Sequence, residues 1–249
     1  RLAGGRPVLV PSRNHQLDID QIRRALSAKT RAILINSPNN PSGAVYPMAD
    51  LLKIAELALK HNLYIVSDEA YSAYVYDDLP FESLFEYEDI RRQLVVTRSF
   101  SKGHQMTGFR VGYAAASTEM IAALNKFQSH MTGNVCTFAQ YGALAAMDLN
   151  ADGLSKYRKD LEKKRNYAYR KINEVFDCIR PRGAFYLFPD VSGHLHGAMT
   201  SADLARKLLE EKGVAVVAGE EFGMSGHIRI SYAVPENQLV SGLEKIIGA

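Results

Sequence analysis

Apolar residues in the first half of the chain follow two alternating rhythms. Ala32–Asn36 opens on a continuous apolar run, the pattern of a strand buried on both faces. Residues 64–66, leading into Ser67 and Asp68, predict a second buried strand, 94–97 a third and 111–116 a fourth. Residues 7–11, Pro-Val-Leu-Val-Pro, are a shorter strand candidate. Helical spacing fills the intervals. Ile19, Ile22 and Leu26 recur at a period near 3.6, which predicts a helix over 18–26. A helix over 48–60 places Leu51, Leu52, Ala55 and Leu59 on one side. Strands alternating with helices predict an α/β fold on a mostly parallel sheet.

The rhythm changes past residue 150. Leu154, Leu161, Ala168 and Val175 recur at every seventh position, with Tyr157 and Ile172 near the same stripe, predicting one long helix over 153–176. Its Lys156, Arg158, Lys159, Lys163, Lys164 and Arg165 read as a solvated face softened by Asp160 and Glu162. Beyond Arg180 come short segments at 185–188, 202–212, 214–217, 227–231 and Glu236–Ile247, which suit a small α+β domain. The expected division is 1–150 as part of a large domain and 151–249 as a connecting helix with a small C-terminal domain.

Composition narrows the function. The chain has 249 residues, 47% of them hydrophobic, enough for one large or two modest domains. Net charge is +3 with 23% charged residues, so binding to nucleic acid through phosphate neutralisation is not expected. The two cysteines, Cys136 and Cys178, lack metal-ligand spacing and suit free thiols in a reducing compartment such as the cytoplasm. No apolar run approaches the roughly 18 residues of a membrane span, and no membrane partner is expected. The chain opens at Arg1 on what reads as mid-domain sequence, so a piece lacking its front part is expected.

Polar residues collect where the strands end, and in such sheets ligands bind beyond the carboxyl ends of strands. Residues 36–43 read Asn-Ser-Pro-Asn-Asn-Pro-Ser-Gly, and 67–71 read Ser-Asp-Glu-Ala-Tyr. Residues 99–102 read Ser-Phe-Ser-Lys and continue to Met-Thr-Gly-Phe-Arg at 106–110; His227-Ile-Arg-Ile-Ser231 is the fourth motif. Each alone has an ordinary explanation: a turn-rich loop, a capping Asp, a surface lysine, a solvent-facing strand arginine. His194 and His196 lack a third metal ligand nearby and read as surface loop.

In this order and spacing the four motifs resemble the fold-type-I enzymes that use pyridoxal 5′-phosphate (PLP), specifically the class I and II aminotransferases, over nearly the whole chain. The resemblance implies a three-layer sandwich of the PLP-dependent transferase type. Lys102 would form the Schiff base and shuttle the substrate proton. Its spacing to Arg110 matches the family, and Ser99, Ser101 and Arg110 resemble the phosphate-holding groups. Asp68 resembles the partner of the pyridinium nitrogen. Tyr71 and Asn40 resemble donors to the cofactor's phenolic oxygen, and Arg229, with Asn40, the site of the substrate α-carboxylate. The loop at 182–186 resembles one that enters the substrate site, and His104 is an entrance or phosphate-edge candidate. A cis bond at Asn40-Pro41 is implied too.

The activity implied is transfer of an amino group from an α-amino acid to a 2-oxo acid, in a homodimer of the full-length enzyme. Two alternatives share the motifs: a PLP-dependent carbon–sulfur β-lyase, and a non-catalytic PLP-binding regulatory relative. The family also uses a phosphate-binding turn and a ring-stacking aromatic from upstream, which the turn at 3–6 does not match. This chain is therefore expected to hold the base of the pocket, to bind PLP weakly by itself and to expose apolar surface.

Overall fold

The central sheet forms where the apolar runs are longest. In the computed structural model, which describes residues 4–148 and 151–248, β1 (Ala32–Asn36), β2 (Tyr64–Asp68), β3 (Leu94–Ser99) and β4 (Gly112–Ala116) lie side by side in that order. The first three are parallel and β4 runs antiparallel to β3. The register sets Asn36 opposite Asp68, Asp68 opposite Thr97, and Ser99 opposite Gly112, so the polar strand ends come level.

One face of this sheet carries the core. Ile35, Ile65, Leu94 and Val96 pack with α1 (Ile19–Ala25) and α2 (Met48–His61), through Ile22, Leu51, Ile54, Ala55 and Ala58. Asp18 caps α1 by accepting from the Gln21 N–H at 2.9 Å. The other face corrects the expectation for β1. Leu34 is 72% exposed, so the strand is buried on one side only. It is the outer strand of this sheet, and continuous apolarity reports what a strand can bury, not what covers it. Residues 7–11 also depart from expectation. They join no sheet, and Val8 and Leu9 are exposed, because proline at both ends removes the N–H groups a ladder needs.

After β3 come the single turn α3 (Phe100–Gly103) and, past β4, α4 (Thr118–Met131) and α5 (Thr137–Asp148). Ala139, Ala143 and Ala146 of α5 pack on Phe100, Met106 and Val111, while Phe127, Met131, Phe138 and Tyr141 face outward.

Contacts divide the chain into two compact units, Arg1–Pro38 with Val45–Leu154, and Asn39–Ala44 with Ser155–Ala249. The expected boundary at 150 falls on residues outside those described, as does Ala3 of the turn at 3–6. Placement of Asn39–Ala44 with the second unit has no counterpart in the sequence pattern. That unit carries α6 (Ala151–Asn173) from Ser155 onward, β5 (Tyr186–Leu187), α7 (Ser201–Lys212), β6 (Val217–Ala218), β7 (Ile228–Ser231) and α8 (Glu236–Ile247). Its antiparallel sheet has the order β5-β7-β6. Only Val217 of the expected strand at 214–217 pairs, joined by Ala218. Thr200 and Asp203 form a reciprocal cap on α7.

The stripe on α6 buries Leu161, Ala168 and Ile172. Arg165 is a correction to the solvated-face reading, because it is 0% exposed. Its Nη1 donates to the Pro181 carbonyl at 2.6 Å and its Nη2 to Glu162 at 3.2 Å. The bonds at its two Nη atoms offset part of the cost of burying this guanidinium, which a charge count does not reveal. Among the described residues no helix is long and apolar enough to cross a membrane.

Candidate active site

The turn after β3 follows from its own sequence. Ser99 is extended (φ −132°, ψ 135°) and its Oγ accepts from the Ser101 N–H at 3.1 Å, starting α3. Arg110 adopts the left-handed conformation (φ 56°, ψ 45°). Its Nη1 donates to Ser101 Oγ at 3.3 Å and to the Thr107 carbonyl at 3.0 Å. Two hydroxyls and a guanidinium thus gather beside α3.

Lys102 lies within α3, and its Nζ stands 5.9 Å from the centroid of the Tyr71 ring. The Tyr74 hydroxyl donates to the Lys102 carbonyl at 2.6 Å, fixing the backbone from which the amine projects. Asp68 ends β2 with its Oδ1 accepting from the Ala70 N–H at 3.1 Å. Its carbonyl accepts from the Ser37 N–H and from Asn36 Nδ2, each at 3.1 Å, which ties the ends of β1 and β2 together. His104 follows α3, its ring 4.8 Å from that of Phe100. Burial pushes its pKa below the ordinary histidine value.

The second unit holds Asn40 and Arg229 together. Arg229, on β7, donates from Nη1 to Asn40 Oδ1 at 2.8 Å. Its guanidinium carbon lies 4.5 Å from the Tyr186 ring centroid and 5.2 Å from that of Phe222. Two aromatic faces therefore hold the fork. The bond at Asn40-Pro41 is cis, and so is that at Ser37-Pro38. Asn39 Oδ1 accepts from Ser42 Oγ at 2.7 Å and from its N–H at 3.2 Å, closing the turn after Asn40. Gly43 then accepts at its carbonyl from the N–H groups of Arg182 and Gly183, both at 2.9 Å, so the loop at 182–186 rests on this turn. His194 stands edge-on to Phe176 at 4.7 Å, and no metal-binding group occurs among the described residues.

The first unit thus brings together Asp68, Tyr71, Ser99, Ser101, Lys102 and Arg110; the second brings together Asn40 and Arg229. The donor set fits PLP: an amine for its aldehyde, a carboxylate for its ring nitrogen, and hydroxyls with a guanidinium for its phosphate. A profile of the family described as aminotransferase class I and II matches residues 1–246. The chain belongs to the class I and II aminotransferases.

Similar proteins agree. A probable aspartate/prephenate aminotransferase of Aquifex aeolicus is 39% identical over 99% of this chain and 64% of its own length. An aspartate aminotransferase of Bacillus subtilis is 39% identical over 99% of this chain and 65% of its own. Among solved structures, an aromatic aminotransferase from Pyrococcus horikoshii superposes with a TM-score of 0.94 at 34% identity, covering 99% of this chain and 67% of that one. An aspartate aminotransferase from Thermotoga maritima gives a TM-score of 0.90 at 36% identity, with 99% and 64% covered. The fold is therefore that of the aminotransferases. The chain spans 64–65% of the length of the two curated relatives.

Two features of this chain have no local signature in the sequence, or only a faint one. Tyr186 and Phe222 flank Arg229 from positions 43 and 7 residues away along the chain, a proximity no local spacing announces. Glu69 and Arg98 form an ion pair beneath the strand ends, at 2.8 Å. Arg98 does leave a signal, as a charge that interrupts a buried strand one residue before Ser99.

Proposed function

We propose that this chain belongs to an enzyme that moves an amino group from an α-amino acid to a 2-oxo acid with PLP as cofactor. The observation that carries the reading is the Lys102 amine beside Tyr71, on a turn where Ser99, Ser101 and Arg110 gather. When bound, PLP supplies an electron sink for the substrate's α-carbon. Lys102 would be the residue that holds it covalently, and its Nζ would take up and give back the α-proton. Asp68 would keep the ring nitrogen protonated, since a neighbouring carboxylate favours the charged base. Ser99, Ser101 and Arg110 hold the phosphate. Tyr71 would donate to the phenolic oxygen.

Arg229 binds the substrate α-carboxylate, and Asn40 orients its fork through the bond to Nη1. The exposed Phe127, Met131, Phe138 and Tyr141 support a homodimer as the working form. Free Cys136 and Cys178 support the cytoplasm as its compartment.

The test is borohydride reduction of the protein with PLP, followed by peptide mapping. A pyridoxyl label on Lys102, lost in Lys102→Ala, is the expected result; a label on another lysine, such as Lys126, refutes the assignment. An amino donor should convert the PLP absorption band to that of pyridoxamine phosphate. Release of pyruvate and ammonia instead would make the enzyme a β-lyase.

A further inference from the structure

Glu69 is 2% exposed, the one acidic side chain among the described residues buried to that degree. A carboxylate so far from water needs its acceptor sites filled. Oε1 accepts from Ser83 Oγ at 2.6 Å and from Ser67 Oγ at 3.2 Å; Oε2 accepts from Arg98 Nη2 at 2.8 Å and Nε at 3.0 Å. The Arg98 guanidinium lies 5.7 Å from the Phe81 ring centroid. Burial works against its charge, but the Glu69 bonds and charge, with Tyr113, outweigh that and raise its pKa above the ordinary arginine value.

The place of this network matters more than its strength. Side chains alternate along a strand, so Ser67 and Glu69 share one side and Asp68 takes the other. Arg98 likewise points away from its neighbours Thr97 and Ser99. The Glu69 N–H donates to the Thr97 carbonyl at 2.9 Å, and there the pairing of β2 with β3 ends. Past this point no ladder bond holds the two strand ends level. The ion pair bridges them, one residue from Asp68 and one residue from Ser99, and the Tyr74 hydroxyl bond to the Lys102 carbonyl ties the segments that follow.

We propose that Glu69 and Arg98 are positioning residues for the cofactor site. Their pair fixes the ends of β2 and β3 so that Asp68 and the Ser99–Lys102 turn act as one rigid unit toward PLP. The proposal rests on the reading of Asp68, Ser99 and Lys102 as cofactor residues. A buried ion pair contributes little stability relative to an apolar pair of similar size, so a purely structural role predicts that an apolar replacement is tolerated. A positioning role predicts that such a replacement folds and still binds PLP poorly.

The variants are Glu69→Met with Arg98→Met together, and Arg98→Lys alone. The first removes both charges; the second keeps the charge but loses the two-pronged donor. PLP affinity is read by absorbance titration of the apoprotein, the pH midpoint of the bound-cofactor band by spectroscopy, and folding by circular dichroism and thermal melting. Both variants should fold, weaken PLP binding by about tenfold, the order seen when a contact behind a site is lost, and shift the midpoint. Arg98→Lys carries the test if the double variant does not fold. A folded variant with wild-type affinity and midpoint overturns the proposal. So does Arg98→Lys behaving as wild type beside a Glu69→Gln that shifts, since charge rather than geometry would then matter. Asp68→Asn separates the two levels: if it leaves the midpoint unmoved, the reading of Asp68 fails, whatever the pair does.

Discussion

Gly43→Ala puts the turn that carries Asn40 under a measurable load. Gly43 has φ +68°, and a Cβ built there would stand 2.5 Å from Pro181 Cβ and 2.8 Å from the Gly183 carbonyl oxygen. Neither neighbour can yield cheaply. Pro181 receives the buried Arg165 at its carbonyl, and Gly183 is bonded to Gly43 itself. Alanine pays about 1–2 kcal/mol for the left-handed backbone. Forcing a methyl into filled space adds about 1–3 kcal/mol. Gly213→Ala isolates the first contribution, because Gly213 has φ +65° and a methyl group there would meet nothing within 4 Å. Urea unfolding should then place Gly43→Ala about 1–3 kcal/mol below Gly213→Ala, with equal slopes in the two. Equal stability of the two variants would show that the turn and the loop at 182–186 separate without cost, and would refute the argument.

Arg165→Met should cost about 2–4 kcal/mol, because it leaves the buried Pro181 carbonyl and the Glu162 carboxylate short of a donor; an unchanged thermal midpoint would contradict this. His104 sets a pH dependence. Its folded pKa lies below the unfolded value near 6.5, so its contribution is complete above that value and is lost as pH falls through the folded one. Wild type should therefore lose more stability than His104→Gln between about pH 7.5 and 5.5, the range in which unfolded histidine titrates. Equal losses in urea unfolding would rule the effect out.

The sequence is most readable where local chemistry and burial agree. Short apolar runs mark β1, β2 and β3, because each must bury a row of side chains whatever lies across from it. Asp68 and Ser99 stand out at strand ends, since a polar residue cannot continue a buried strand without a partner. What covers a strand is a different kind of fact. Leu34 reads as core and is open to solvent, because it lies on the face of the outer strand opposite the one that packs on α1 and α2. Arg165 reads as surface and is buried, because its partner Pro181 lies 16 residues on, past the end of the helix. Glu69 and Arg98 are separated by 29 residues and are joined only by the register of two parallel strands. Chemistry that acts through one short segment, such as Ser-Phe-Ser-Lys, can be read from its letters. The contacts that aim such a segment are made by the fold, and the buried carboxylate of Glu69 is intelligible only once Arg98 is seen beside it.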